Sequence, residues 1–497
     1  MQVGVDFGTT RTLVSIVDRG NYPVVSFTDS AGDSYDYLPS VAALVDGDLV
    51  YGFDALAAMD EGAPGVRSFK RALASPDVGV WTRARFGEWE LPVTDLLAGY
   101  LGYVADQLRT SSNIADRLAG DLTAVVAVPA HAHSAQRFLT LQAFRAAGFT
   151  VTAILNEPSA AGFEYTHRQA RTLSSKRSRV LVYDLGGGTF DASLVSVQAT
   201  AHEVVDTVGI NTLGGDDFDL ALAGLAVEAA GRQRHDLDAF EWAALLDDCR
   251  VAKEGLSPQS RRLSVDVAGT PVTIPVAAFY DAVTPLVNRT VDALAPLVSG
   301  LGDEPELADV AGIYLVGGAS GLPLVPRVLR ERFGRRVHRS PHPAASTAIG
   351  LAIAADDQAG FDLTDRLSRG FGVFREASFG AGTSFDPIFG RDLVVRPGEV
   401  VSVSRQYRAV HNIGHFRFVE YSGLGEGDVP RGEIVPFAEL VFPFDERLQR
   451  EGVGDEPVVR RDWGPLVEET YRVAADGVIE VEIADLDTGF VLRTSLG

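Results

Sequence analysis

The chain has 497 residues, 46% of them hydrophobic and 22% charged, a soluble globular composition too long for a single core, so two to four domains are expected. Its formal net charge of −23 argues against nucleic acid or an anionic membrane as the main partner. No stretch approaches ~20 uninterrupted apolar residues, so no membrane span is expected. The one cysteine, Cys249, excludes an intramolecular disulfide framework and fits a reducing cytoplasm. The N-terminus enters a strand at once, so no signal peptide is expected. Only Lys70, Lys176 and Lys253 are lysines among 44 basic residues. In so arginine-rich a chain a lysine is a candidate for a place where a compact ammonium serves and a planar guanidinium does not.

In chain order, the segment VGVDFGTT at 3–10 is an apolar strand that ends at Asp6 and turns through Gly8, Thr9 and Thr10. It returns as the apolar TLVSIV. The rest of 1–50 reads as a strand meander through PVVSF and VAALV. Lys70 follows a glycine turn at 62–65, in a loop or at a helix start, and taken alone reads as a solvated surface charge. A helix is expected over 94–118, a strand over 122–128 ending at Pro129, a helix over 134–147 carrying Gln136 and Arg137, and a strand over 151–155. The next segment, NEPSAA, sets a proline in the first turn of a helix with small residues behind it, which gives a close-packed N-terminus. Glu157 either caps that helix or faces a ligand.

Residues 180–191, VLVYDLGGGTFD, repeat the first pattern more fully. An apolar strand ends in Asp184, three glycines let backbone amides approach an anion without a Cβ in the way, and DASLVSV returns as a strand. An Asp at a strand end beside such a turn suits a hydrated Mg²⁺. Two such hairpins, one in each of two similar lobes, would clamp a polyphosphate and its metal from both sides. This resembles the actin-like ATPase fold shared by sugar kinases, actins and heat-shock chaperones.

Further along, Gly214 and Gly215 in NTLGGDDFD precede an expected helix and are a candidate N-terminal anion site. A helix over 239–257 carries Arg250, Lys253 and Ser257. The strand IYLV ends in Gly317 and Gly318, a pair that would let a flat base lie against the backbone, ahead of helices at 323–333 and 343–355. Composition turns polar over 356–370, read as a linker. Beyond it, DLVVRP, EVVSVSRQY, FRFVEYS, AELVFPF, VIEVEIADL and FVLRT alternate apolar and polar residues between turns, the pattern of an antiparallel β domain. Residues 447–468 lack periodicity and read as a loop, and no helix is expected after the last strand.

These segments together resemble the DnaK-type heat-shock chaperones, the 70-kDa heat-shock protein family. VDFGTT resembles the family's first phosphate loop and VYDLGGGTFD its second, while NEPSAA, preceded by VPAHAHSAQR, resembles the segment between them. GGDDFD, RVAKEGLS and YLVGGASGLPLV resemble its nucleotide-closing motifs. The likeness covers about 1–356 and continues more weakly through FDPIFGRDLVVRP and ADGVIEVEIADLDTG. It implies an α/β, two-lobed actin-like (ribonuclease H-like) ATPase domain over 1–356, with lobes at about 1–175 and 176–356. A linker at 357–370 and a smaller antiparallel β-sandwich at 371–497, resembling a substrate-binding domain without its helical lid, would follow.

The resemblance implies ATP or ADP with Mg²⁺, and allows K⁺. Asp6, Gly8, Thr9, Thr10, Gly186, Gly187, Gly188 and Thr189 would meet the phosphates and metal. Lys70 would be the catalytic lysine, with Glu157, Asp184 and Asp191 organising the metal's waters and the attacking water. Asp6, Asp184 and Glu157 would serve the metal, the last two through water. Gly214, Gly215, Arg250, Lys253, Ser257, Gly317 and Gly318 would complete the nucleotide site, and Pro129 and Arg137 match residues that relay nucleotide state. Phosphoryl transfer asks mainly for such positioning and charge neutralisation.

Three positions depart from the family pattern. Arg250 stands for a ribose-binding Glu, Gly321 for an Arg that stacks on adenine, and Ala344 for an Asp. Losing one cation–π stack costs about 0.5–2 kcal/mol, and Arg250 is a candidate to swing onto the base instead. The expected function is a chaperone in which slow ATP hydrolysis controls polypeptide binding by the β domain, with a co-chaperone and a nucleotide-exchange factor as further partners. The alternative is a nucleotide-sensing scaffold holding a dedicated partner with little hydrolysis. A small-molecule kinase on the same fold is disfavoured by the β domain.

Overall fold

The computed structural model describes residues 1–75, 78, 82–86, 89–118, 120–130, 132–169, 172–174, 177–198, 201–299, 310–360, 362–364, 367, 369–377, 382–391, 393–395, 399–474 and 476–496. Lys176 and part of the strand expected over 392–397 lie outside them. The chain divides into two compact units, the first made of Met1–Ala72, Thr82–His131 and Ala143–Leu363.

In this first unit one topology appears twice. Gln2–Phe7 pairs antiparallel with Arg11–Ile16 and parallel with Leu122–Val128, inside a five-stranded sheet. Arg179–Leu185 likewise pairs antiparallel with Phe190–Gln198 and parallel with Val310–Val316, inside a six-stranded sheet. The central strands are apolar on both faces because both faces are covered. Leu181, Tyr183 and Leu185 enter a cluster with Phe218, Leu222 and Phe279, while Val180 and Val182 meet Ala161 and Tyr165. This mixed α/β arrangement of sheets backed by helices fits an actin-like ATPase lobe.

The helix Glu157–Gln169 sits where the small residues of NEPSAA allow close approach. It packs against Ser346–Ala355 so tightly that a Cβ on Gly350 would stand 1.8 Å from the Ala160 carbonyl oxygen.

The second unit gathers Leu73–Trp81, Ala132–Gln142 and Thr364–Gly497. It holds two four-stranded antiparallel sheets. One is ordered Gly382–Phe389, Gly370–Ala377, Ile413–Leu424, Pro430–Pro443, and the other Val400–Arg408, Leu466–Ala474, Ile479–Asp485, Val491–Leu496. Residues of both, among them Phe371, Phe418 and Phe442 with Tyr471, Val481 and Ile483, share one apolar cluster. At its edge Arg375 donates to both oxygens of the buried Glu469, at 2.8 and 2.6 Å. In the same unit Glu420 accepts from the Ser134 amide at 3.1 Å and caps the helix Ser134–Ala146. Burial pushes its carboxyl above the usual range, although Ser134 donates to it and Arg369 and Arg137 lie near.

Two segments differ from their sequence reading. Asp362–Thr364, within the expected linker, forms a strand next to Ala201–Ile210 at the edge of the six-stranded sheet. An edge strand needs only backbone partners and leaves little trace in side-chain pattern. Glu446–Glu451, within the expected loop, is a helix capped by Asp445, which accepts from the Arg447 amide at 2.8 Å. Its stabilising pairs, Arg447–Glu451 and Arg450–Glu446, are exposed charges, so it carries no apolar stripe to read.

Candidate functional site

The two glycine-rich turns face each other across a cleft in the first unit. The Gly8 amide donates to the Arg11 carbonyl at 3.0 Å and the Gly186 amide to the Thr189 carbonyl at 3.0 Å, closing each hairpin. A Cβ on Gly187 would stand 2.7 Å from Cγ2 of Thr10, so the second turn meets the first with backbone alone. Asp6, Gly8, Thr9, Thr10, Gly186, Gly187 and Thr189 line the cleft together with Lys70, Glu157 and Asp184. Gly188 and Asp191 stand behind this wall: Gly188 against Thr9, and the buried Asp191 opposite Asp184 in register.

Lys70 lies in the short 3₁₀ turn Phe69–Ala74, and its side chain is only 4% exposed. That excludes the surface-charge reading. Its Nζ reaches Oε1 of Glu157 at 2.8 Å and lies 5.4 Å from the Phe7 ring. Glu157 opens the helix Glu157–Gln169, which settles how a residue at the helix start can face the cleft. Burial, with Glu157 nearby and Lys70 opposing, pushes the Asp6 carboxyl up to about 7. Burial and the neighbouring Glu157, Asp6 and Asp191 hold Asp184 well above the carboxylate range.

This is a crowded set of hard oxygen donors with one ammonium, and a dication would relieve its repulsion. Among the described residues no three His, Cys, Asp or Glu side chains gather closely enough to hold an ion. The carboxylate oxygens of Asp6, Asp184 and Glu157 that line the cleft are of the donor type that suits a hydrated Mg²⁺.

On the other wall, Lys253 bonds Asp219 at 2.6 Å and the Gly215 carbonyl at 2.8 Å. Gly317 has φ +81°, and a Cβ there would stand 2.3 Å from Oδ1 of Asp184, so this glycine makes room for the aspartate. Gly318 faces open space in the cleft wall.

Three expectations change. The N-terminus of Gly215–Ala229 is not a free anion site, because the Gly215 and Asp216 amides donate to the carbonyls of Gly186 and Gly187 at 2.9 and 2.8 Å. Gly214 instead packs under Gly187, and Gly215 lines the cleft. Ser257 is exposed, shares a 3.1 Å hydrogen bond with Ser260 and does not line the cleft, since its helix ends at Glu254. Arg250 lines the cleft but is held by Asp247 at 3.2 Å and Asp219 at 3.7 Å. Swinging onto a base would cost both contacts. Arg250→Ala is therefore expected to change nucleotide affinity less than threefold while lowering the melting temperature. A tenfold affinity loss in a binding titration would restore the stacking role.

Sequence reasoning missed several cleft residues. Arg11 and Glu254 form an ion pair across residues far apart in the chain. Arg71 donates to Asp217 at 3.1 Å and Ser68 to Asp216 at 2.9 Å, tying the lysine turn to the first turn of the helix Gly215–Ala229. The two aspartates in GGDDFD and the Arg after Lys70 were the available signals. Pro129 follows the strand Leu122–Val128 in the first unit, and Arg137 is buried beside Gly477 in the second. Among the described residues no helix is long and apolar enough to cross a membrane.

The model of the Hsp70 protein family matches residues 103–367. The chain is 35% identical over 373 residues to a chaperone protein HscA homolog of Pseudomonas putida, covering 72% of this chain and 58% of that one. It is 36% identical over 369 residues to chaperone protein HscA of Cronobacter sakazakii, with the same coverage of 72% and 58%. For chaperone protein HscA of Klebsiella pneumoniae the identity is 35% over 369 residues, again 72% and 58%. The chain thus spans 58% of the length of these curated relatives. By the family match over more than half of its residues, this chain belongs to the Hsp70 family.

Proposed function

We propose that this chain is a cytoplasmic chaperone ATPase, with a nucleotide-binding domain over 1–356, a linker at 357–370 and a β-sandwich that holds polypeptide over 371–497. The observation that carries the reading is the buried Lys70–Glu157 pair beside Asp6 and Asp184, set between two glycine hairpins. Thr9, Thr10, Thr189 and the backbone at Gly8 and Gly187 would cradle the phosphates of ATP. Lys70 would bring positive charge to the terminal phosphate, where charge grows in the transition state. Glu157, held by Lys70 at 2.8 Å, would orient the attacking water and accept its proton.

A Mg²⁺ held through waters by Asp6, Asp184 and Glu157 would supply the remaining neutralisation of the polyphosphate. Lys253, Gly317 and Gly318 would bound the adenosine. A co-chaperone and a nucleotide-exchange factor would act as partners, by likeness to the family.

A second reading, a nucleotide-sensing scaffold for a dedicated partner, draws on Ala344 and Gly321, which place no polar side chain beside the adenosine. Single-turnover hydrolysis of Mg-ATP, with and without an excess of unfolded hydrophobic peptide, separates the two. Acceleration by peptide supports the chaperone motor. No hydrolysis above a Lys70→Ala blank supports the scaffold.

A further inference from the structure

In the second unit, between the helix Glu446–Glu451 and the strand Leu466–Ala474, every residue from 454 to 463 is exposed. The segment is nonetheless held in an extended form against 410–412. The Asn412 amide donates to the Val459 carbonyl at 3.0 Å and the Arg461 amide to the Val410 carbonyl at 2.7 Å. Asn412 also donates through Nδ2 to the Pro457 carbonyl at 3.0 Å, and its Oδ1 accepts from the Val459 amide at 2.6 Å. Arg460 and His411 form the antiparallel bridge between these bonds. Ion pairs of Glu456 with Arg447 at 2.7 Å and of Arg461 with Asp445 fasten its ends.

The backbone bonds of 457, 459 and 461 thus all run toward 410–412. Alternate residues of a strand aim their N–H and C=O groups at opposite edges, so those of Val458 and Arg460 aim outward. Pro457 lacks its N–H on the inner side only and does not interrupt the outer edge. Val458 and Val459 point to opposite faces, and each is 50% exposed, so neither face is covered. An open apolar edge of this kind is a template for another strand.

The order of charges says which strand fits. Asp455 and Glu456 precede Pro457, Val458 and Val459, and Arg460 and Arg461 follow. Laid antiparallel on a second copy with Val458 opposite Val458, the segment sets Glu456 against Arg460, Asp455 against Arg461 and Pro457 against Val459, each twice by symmetry. No like charges oppose each other over 455–461. The outward N–H and C=O of Val458 then bond reciprocally across the axis, as this register requires. The Arg447–Glu456 pair is exposed, so sharing Glu456 with a second copy costs little.

We propose that 455–461 is a self-association edge, through which two copies of this chain pair antiparallel about a twofold axis at Val458. The proposal does not rest on the nucleotide reading above.

The test is sedimentation equilibrium of the full chain over a range of concentrations, with Glu456→Arg, Arg460→Glu and the double variant, and melting curves as the folding control. The unmodified chain should show a monomer–dimer equilibrium. Either single reversal turns attractive cross-strand pairs into repulsive ones and should weaken the dimer about tenfold. An equimolar mixture of the two single variants should dimerise again, because one copy then carries only positive charge at these two positions and the other only negative. The double variant should recover by itself. A chain that stays monomeric at every concentration overturns the proposal and leaves the edge to some other extended polypeptide. A dimer that neither reversal weakens overturns it too, as do weakened variants that neither the mixture nor the double variant rescues.

Discussion

Lys70→Ala should slow single-turnover ATP hydrolysis by about 10²–10³-fold, the scale for removing one preorganised charge from a site of charge development. Nucleotide affinity should change much less, because the hairpins and the Lys253 wall remain. The side chain is 4% exposed and 2.8 Å from Glu157, so its removal also leaves Glu157, Asp6 and Asp184 with no ammonium among them. Lys70→Arg should not rescue the rate. A guanidinium is a broader, planar group, and the pocket is built around a compact charge. Hydrolysis within threefold of the unmodified chain in either variant would remove Lys70 from the chemistry.

Gly350→Ala should produce the largest loss of stability from a single methyl group. The new Cβ would stand 1.8 Å from the Ala160 carbonyl oxygen and 2.4 Å from its carbon, both backbone atoms that cannot rotate away. The helices Ser346–Ala355 and Glu157–Gln169 must separate, at a cost of about 1–3 kcal/mol or more. Glu157 begins the second of these helices, so hydrolysis should fall as well, through displacement from Lys70. Gly224→Ala is the control. It lies mid-helix with nothing near its Cβ position, and should stabilise by about 0.5–1 kcal/mol. Equal melting temperatures for the two variants would show that the helix contact yields more easily than its geometry implies.

The sequence made both hairpins legible because each function leaves a local mark. A strand is apolar, a phosphate turn needs glycine, and a metal needs an oxygen donor at the strand end. The pairing of these marks also revealed the repeat of topology in the first unit. The closing contacts were not legible. Arg11 and Glu254 meet only because the chain folds them together, and neither type nor spacing announces it. The amides at Gly215 and Asp216 looked free because a helix N-terminus ordinarily leaves them so, and only the approach of Gly186 and Gly187 uses them. Ser257 failed for a related reason: its helix stops at Glu254, and the following turn carries the hydroxyl outward.

Two of the three primary ε-amines in the chain, at Lys70 and Lys253, are buried and engaged in ion pairs. Their rate of acylation by an amine-directed reagent then depends on how often the cleft opens, not on intrinsic nucleophilicity. With so few competing amines, mass spectrometry of the acylated chain becomes a two-channel clock of cleft breathing, one channel on each wall.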